Sequence, residues 1–537
     1  MITYRELRTL ELAVLRVLFG GGQQVLDVEQ LIQINVDQFY GIEIEEFPAQ
    51  IAQVALWLTD HQMNMRITEE FGNYFARLPL KSTPHIVHGN ALQCDWAQVL
   101  APKQCSFILG NPPFLGYTQR SETQRNDMEM ICHEIHGAGV LDFVSAWYIK
   151  AARYVQRNPN VRCAFVSTNS ITQGEQVGIL WGWMLAQGVK INFAHRTFSW
   201  SNEARGKAAV HCVIIGFGLQ ETAEKTIYEY EDIKGEPHAV KVSNINPYLV
   251  DAPNILLQKN NKPICNTLKI TRGSQPNDVG HLLIDQGEKD ALIRSEPQAE
   301  KWIKPFAMGD EFINNLKRYC LWLLDCSPSE LRQMPFVLAR VEKVKQMRLA
   351  SKKLPTQQLA KQPTRFGELR QPNSNYLAIP RVSSERRLFI PIGFLSAEFI
   401  AGDKLQTIEQ ATNFHFGILS STMHNAWMRA VCGRLESRYS YSAGIVYNNF
   451  PWPEPTEKQT QSIEACAQTV LDARTAHPND SLADLYDPLT MPANLLKAHQ
   501  ALEKQWMPLM FTKAPILMLR GWDFCLRYTK KSLHYCR

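Results

Sequence analysis

No two of the twelve cysteines are spaced as Cys-x-x-Cys, and several of them, including Cys105, Cys163 and Cys212, lie inside apolar runs. A thiol in such a run behaves as a small hydrophobe, so neither a zinc site nor a disulfide framework is expected. No apolar stretch reaches the roughly 18 residues of a membrane span. The amino terminus, Met1-Ile2-Thr3-Tyr4-Arg5-Glu6, lacks the basic-then-apolar pattern of a signal peptide. A cytoplasmic protein is the expectation. The main body also lacks an excess charge. Residues 506–537 hold six basic side chains (Lys513, Arg520, Arg527, Lys530, Lys531, Arg537) against Asp523, which accounts for the whole net charge of +5. The remaining residues balance, so overall charge says nothing about nucleic acid and only local patches can.

At 537 residues, with 45% hydrophobic and 20% charged side chains, the composition is ordinary globular, and the length calls for two or three domains. The most informative tetrapeptide is Asn111-Pro112-Pro113-Phe114, directly after the apolar run Cys105-Ser106-Phe107-Ile108-Leu109-Gly110. It places a rigid polar turn at the carboxyl end of a buried parallel strand, where open α/β sheets put their ligands. The prolines fix φ and remove competing N–H donors. The Asn111 side-chain carbonyl and the Pro112 backbone carbonyl can both accept from one exocyclic NH2. Phe114 offers a face on which an extruded base can stack. The bland alternative is an Asn-Pro turn that merely ends a strand.

The surrounding pattern is α/β. Phe39 to Ile44 reads as a strand tipped by Glu43, placed to accept from ribose hydroxyls, and Pro48 to Leu58 follows at helical spacing. His85 to Asn90 reads as a short strand with a polar tip. Further strands are expected at Arg162 to Ser167, Ile191 to His195 and Val210 to Phe217, with a helix over Asp142 to Tyr154. This alternation signals a mostly parallel sheet.

Gly41-Ile42-Glu43, Gly89-Asn90, Asn111 to Phe114, Asp142-Phe143 and the segment His195-Arg196-Thr197-Phe198-Ser199-Trp200-Ser201-Asn202-Glu203-Ala204-Arg205-Gly206 resemble consecutive motifs of γ-class adenine-N6 DNA methyltransferases. More narrowly, residues 1 to about 505 resemble the methyltransferase and specificity portions of fused restriction-modification enzymes of the MmeI type (Type IIL). The resemblance implies a Rossmann-like sheet dependent on S-adenosyl-L-methionine, then an α+β target-recognition domain and a helical carboxyl-terminal segment. It implies that Glu43 binds the cofactor ribose and that Asn90, where the family often has Asp, lies near the cofactor adenine. Asn111, Pro112, Pro113 and Phe114 would hold a flipped adenine, with Phe198 or its rival Trp200 stacked on the other face. Both aromatics could equally be packed on the sheet.

Residues 221–300 lose the α/β rhythm and read as a connection between a catalytic domain over 1–220 and a recognition domain over 301–455. The basic run Val337 to Lys353, with Arg340, Lys343 and Arg348, and the segment Arg381 to Arg387, with Arg386, suit phosphate contacts. A solvated helix face is the usual alternative. In Gly433 to Ser442, Arg can pair with guanine and Glu can accept from cytosine. Glu436 and Arg438 are the expected base readers, and Arg434 is either a third reader or an ion-pair partner. Residues 456–505 read as amphipathic helix.

The chain departs from the family in two places. It has no glycine-rich loop like DPACGSGNF, and the missing strand would lie between those ending at Glu43 and Asn111. The amino-terminal nuclease of the fused enzymes is absent as well. Residues 506–537 lose helical patterning, and a one-base shift of a back-translation resembles the family's usual ending. A frameshifted tail and a fragment cut at both ends are therefore expected, with an upstream fragment as a candidate partner. The leading reading is a site-specific adenine-N6 methyltransferase acting on double-stranded DNA by base flipping in a restriction-modification system, active or inactive as this piece. The alternative is a non-catalytic DNA-binding or specificity remnant. Methylation of RNA or protein amines is a third and weaker reading.

Overall fold

The computed structural model describes residues 1–19, 31–71, 82–200 and 210–510. Of the expected tail over 506–537, residues 506–510 continue the helix Ala493–Met510, where loss of helical patterning was expected, and the rest lies outside the described residues, as do the motif residues Ser201 to Gly206 and the side chain of Trp200. The chain divides into two compact units. One holds Met1–Ser167, Trp183–Phe193 and Ile214–Ala223; the other holds Thr168–Gly182, Ala194–Val213 and the chain from Glu224 on.

In the first unit, helix α1 (Ile2–Phe19) buries Tyr4, Arg8, Leu12 and Leu15, a stripe at helical spacing, against α2 (Glu46–Phe71). Two positions of that stripe are polar. Tyr4 donates to Asp60 at 2.5 Å, Arg8 donates to Asn64 at 2.7 Å and to the Ile34 carbonyl at 2.9 Å, and Asn64 donates to Asp60 at 3.1 Å. A buried guanidinium survives only with such partners. Strand β1 (Tyr40–Glu43) pairs parallel with β2 (His85–His88), with Glu43 opposite His88. Strand β3 (Phe107–Gly110) pairs parallel with β4 (Arg162–Thr168), ending at Gly110 opposite Phe165. Helices α3 (Glu122–Cys132) and α4 (Ser145–Val155) follow β3. Tyr148 of α4 bonds Ser167 at 2.7 Å and stacks on Phe217, fixing the helix to the sheet.

The larger sheet has the order β3-β4-β6-β5-β7-β8, with β5 Lys190–Trp200, β6 Val210–Gly218, β7 Lys225–Glu229 and β8 His238–Val242. Between β4 and β5 lies α5 (Gly174–Ala186). The last two strands form an antiparallel hairpin. The sheet thus runs past residue 220 to Val242, where loss of the βα rhythm had pointed to a connection; hairpin strands need no crossover helix, so the rhythm ends before the sheet does.

The second unit also contains two four-stranded sheets and a small three-stranded one. Helix α6 (Pro335–Leu349) buries Val337, Val341, Val344 and Arg348. Arg348 is wholly buried and donates to five backbone carbonyls, those of Pro276, Asn277, Leu359, Gln362 and Arg365, at 2.8 to 3.1 Å. Helix α7 (Thr422–Val431) buries His424, and helices α8 (Glu457–Thr475) and α9 (Ala493–Met510) follow. Among the described residues no helix is long and apolar enough to cross a membrane.

Arg348→Met is expected to lower unfolding stability by more than about 4 kcal/mol, because several buried carbonyls lose their donor at once; urea titration reads this directly. Two buried imidazoles set a pH dependence. His424, bonded to the Tyr441 hydroxyl at 3.0 Å, and His499, bonded to that of Tyr486 at 2.9 Å, are each held by burial at a pKa of about 3. Below pH 6.5 the unfolded state takes up protons that the folded state refuses, so stability falls with pH, by on the order of 2 kcal/mol per histidine at pH 5. Buried Glu503, whose pKa is raised, opposes this in part. Unfolding midpoints at pH 7 and pH 5 should differ less in His424→Gln than in the parent.

Candidate functional site

Within the first unit, three chemically distinct strand ends follow parallel strands. Glu43 closes β1 and is half-buried; its Oε1 accepts from the amides of Ile44 at 2.9 Å and Glu45 at 3.5 Å, which turns the chain into α2. At Gly41, two residues earlier, a Cβ would sit 2.9 Å from the Cδ1 at the tip of the Ile86 side chain, which would have to turn aside.

Asn90 follows β2. Its Oδ1 accepts from Leu92 N–H at 2.9 Å, and its Nδ2 donates to Asp127 of α3 at 2.9 Å. Gln93 donates to the same carboxylate at 2.8 Å. Lys150 of α4 donates to the carbonyls of Leu92 and Cys94. The Asn90 side chain is therefore spent on shaping its own loop. Asp127 and Lys150 are the residues that sequence reasoning missed here; Asp127 left one signal, a polar residue on the buried face of α3, and half-buried Lys150 left none.

Asn111 to Phe114 leave the end of β3, with Asn111 and Pro113 exposed, Pro112 buried and Phe114 half-buried. Gly110 precedes them because a Cβ would lie 3.2 Å from the Phe165 ring. The close approach of strand β4 thus leaves the turn directly on the sheet edge.

In the second unit Phe198 lies on β5. It stacks on Tyr230, with centroids 5.4 Å apart, and meets His195 edge-on. His195 stacks on Tyr228 at 4.2 Å and bonds the Tyr230 hydroxyl at 2.9 Å; burial lowers its pKa and favours the neutral ring. Phe198 is thus one plate of an aromatic cluster. Tyr228 lies on β7 and Tyr230 just beyond its end, both in a region read as connection. Trp200 ends the strand, and its side chain lies outside the described residues.

The expected DNA readers separate into two groups. Gly433–Leu435 and Arg438–Ser440 form a hairpin whose partner is Val382–Ser383. Glu436 and Arg438 face solvent and pair at 2.8 Å, with Glu436 in the left-handed region at φ 58°. Arg434 lies over the Tyr439 ring at 4.4 Å and donates to the Ser437 carbonyl at 2.9 Å, so it braces the turn. Lys343 and Arg386 are exposed, the latter 3.5 Å from Asp487. Arg340 and Arg348 correct the expectation of phosphate contact. Arg340 donates to the carbonyls of His281 and Leu283 and pairs with Glu288, and Arg348 occupies the apolar stripe of α6. Both guanidiniums are spent on the protein. Among the described residues no cluster of three His, Cys, Asp or Glu side chains could hold a metal ion.

Family models match three consecutive stretches of the chain. One described as MmeI, DNA-methyltransferase domain, matches residues 1–229, one described as MmeI, target recognition domain, matches 251–454, and one described as MmeI, C-terminal domain, matches 455–510. The fold is that of a DNA-methyltransferase domain, here joined in one chain to a target recognition domain. A solved structure of the Type IIL restriction-modification enzyme MmeI in complex with DNA is 57% identical, with a TM-score of 0.92 and a match covering 99% of this chain and 71% of that one. The chain belongs to the MmeI family, as its motifs led us to expect. DNA methyltransferase A of Bacillus subtilis (strain 168) is 38% identical over 508 residues, which cover 94% of this chain and 56% of the relative, so the chain spans little more than half of that relative's length. A methyltransferase domain implies a methyl donor.

Lys343→Ala and Arg386→Ala are each expected to lower the slope of log affinity for duplex DNA against log salt by about 1. Arg340→Ala should lower the melting temperature and leave that slope alone. Anisotropy titrations at four salt concentrations check both.

Proposed function

We propose that the chain is the methyl-transferring and target-reading part of an adenine-N6 DNA methyltransferase of a restriction-modification system, using S-adenosylmethionine and acting on a flipped base in double-stranded DNA. The observation that carries this is the Asn111-Pro112-Pro113-Phe114 turn at the carboxyl end of a parallel strand, in a chain that also carries a recognition hairpin. The Asn111 Oδ1 and the Pro112 carbonyl accept the two hydrogens of the adenine amine, which directs the nitrogen lone pair outward. Phe114 supplies a stacking face, and Phe198 on its Tyr230 plate is assigned the same role. The amine loses its proton after attack, so positioning and polarisation carry the rate and no general base is required. Glu436 and Arg438 read base edges; Lys343 and Arg386 hold phosphates.

The residues present fit the nucleoside half of the cofactor. Glu43 puts a half-buried carboxylate at a parallel strand tip, suited to ribose hydroxyls, and the Asn90 loop is rigidly built beside the strand paired with it. The cofactor supplies the electrophilic methyl group. The methionine half calls for a glycine-rich loop, which we assign to a further segment. Among the described residues β1 pairs only with β2 and β3 only with β4, leaving one open parallel edge on each. Around those edges Ile44, Phe47, Phe107 and Leu109 are more than half exposed. A strand from a separate upstream fragment, followed by the glycine-rich loop, suits these edges. The same open edges favour a second reading, a DNA-binding remnant without catalysis.

Calorimetry of S-adenosylmethionine with the purified chain, with and without a peptide carrying such a strand and loop, separates these readings. Binding unaided supports a self-sufficient enzyme, binding only with peptide supports a split one, and no binding by folded protein leaves the remnant. Under whichever condition supports methylation, Asn111→Ala should reduce N6-methyladenine formation by at least about 100-fold with DNA affinity unchanged; equal rates would refute the assigned turn.

A further inference from the structure

We propose that Asp142 is a positioning residue that holds the Asn111 to Phe114 turn in its working geometry; this rests on the role assigned to that turn above. The turn cannot be held from within, because Pro112 and Pro113 have no N–H to donate. It is held at its two ends. Upstream, the β3–β4 ladder stops at Gly110 opposite Phe165. Downstream, the first residue after Phe114 is gripped on both backbone groups by one dipeptide. Leu115 N–H donates to Asp142 Oδ1 at 3.2 Å, and the Leu115 carbonyl accepts from Phe143 N–H at 3.0 Å.

The same Asp142 oxygen accepts from Val144 N–H at 3.2 Å, and the Asp142 carbonyl accepts from Ser145 N–H at 3.0 Å, so the carboxylate is itself fixed by the first turn leading into α4. That helix is tied to the sheet through Tyr148 and Ser167. The position of Phe114 is thus referred back to the sheet along two routes, one through β3 and one through α4. A second charge faces the carboxylate. Arg120 lies six residues beyond Phe114 and is 5% exposed, and two of its buried N–H groups make no hydrogen bond; the Asp142 charge is what chiefly offsets its burial. A buried arginine with unused donors is costly unless an anion stands near.

Hydrogen exchange on the full chain tests the clamp independently of catalysis. In Asp142→Ala the Leu115 amide should exchange at least about tenfold faster, while amides of residues 148–155 keep their protection. Asp142→Asn, which keeps an oxygen acceptor, should restore most of the Leu115 protection. Single-turnover methylation is the second arm. Asp142→Ala should slow transfer by about 10- to 100-fold with cofactor and DNA affinities within twofold, and Asp142→Asn should recover at least half of that loss on a logarithmic scale. Unchanged Leu115 exchange in Asp142→Ala overturns the proposal, as does a loss of protection spread evenly through α4, which would mark a helix cap only. If the unaltered chain transfers no methyl group under any condition, the function assigned above fails while the exchange arm still decides the clamp. If it transfers and Asp142→Ala matches it, the clamp fails and the function stands.

Discussion

The parallel pairing of Phe107–Gly110 with Arg162–Thr168 is the interaction on which the first unit depends. It fixes where the chain must leave the sheet, and the Asn-Pro-Pro-Phe turn begins at the residue after the last paired one. The contact is close, since a Cβ at Gly110 would lie 3.2 Å from the Phe165 ring, which would have to give by a few tenths of an ångström. Phe165 in turn packs with Tyr148 and Phe217, so a single aromatic cluster couples strand spacing to the helix that carries the Lys150 and Tyr154 contacts to the 92–100 loop. Placement of reactive groups here is a backbone property first and a side-chain property second.

Buried charge organises the rest. Arg8 and Arg348 are both wholly buried, and in both the guanidinium replaces secondary structure as the partner of loop carbonyls. Five fixed donors in a planar fork can bind several irregular segments at once, which no apolar side chain can do. The segments 276–277 and 359–365 lack a ladder of their own with α6, and Arg348 supplies their common anchor.

Much of the first unit was legible because its strands are short apolar runs ending in polar residues. Glu43, Asn90 and Asn111 all sit where that pattern puts them. The basic residues were less legible. Arg348 falls in register with Val337, Val341 and Val344, so its burial was available from spacing, yet composition drew attention to its charge. Arg340 gave no such signal, because its carbonyl partners lie 57 to 59 residues away. Contacts of that separation are set by tertiary packing and leave no local trace. Tyr228 and Tyr230 were hidden for the opposite reason, since a two-residue alternation in a polar stretch is too brief to mark a strand.

The open edges of β1 and β3 also bear on how long the chain persists in a cell. Parallel strands with one open edge, flanked by exposed apolar side chains, are templates for self-association and ready substrates for holdase chaperones and unfoldase proteases. Any strand that covers those edges would therefore also shield the apolar side chains around them from such clearance.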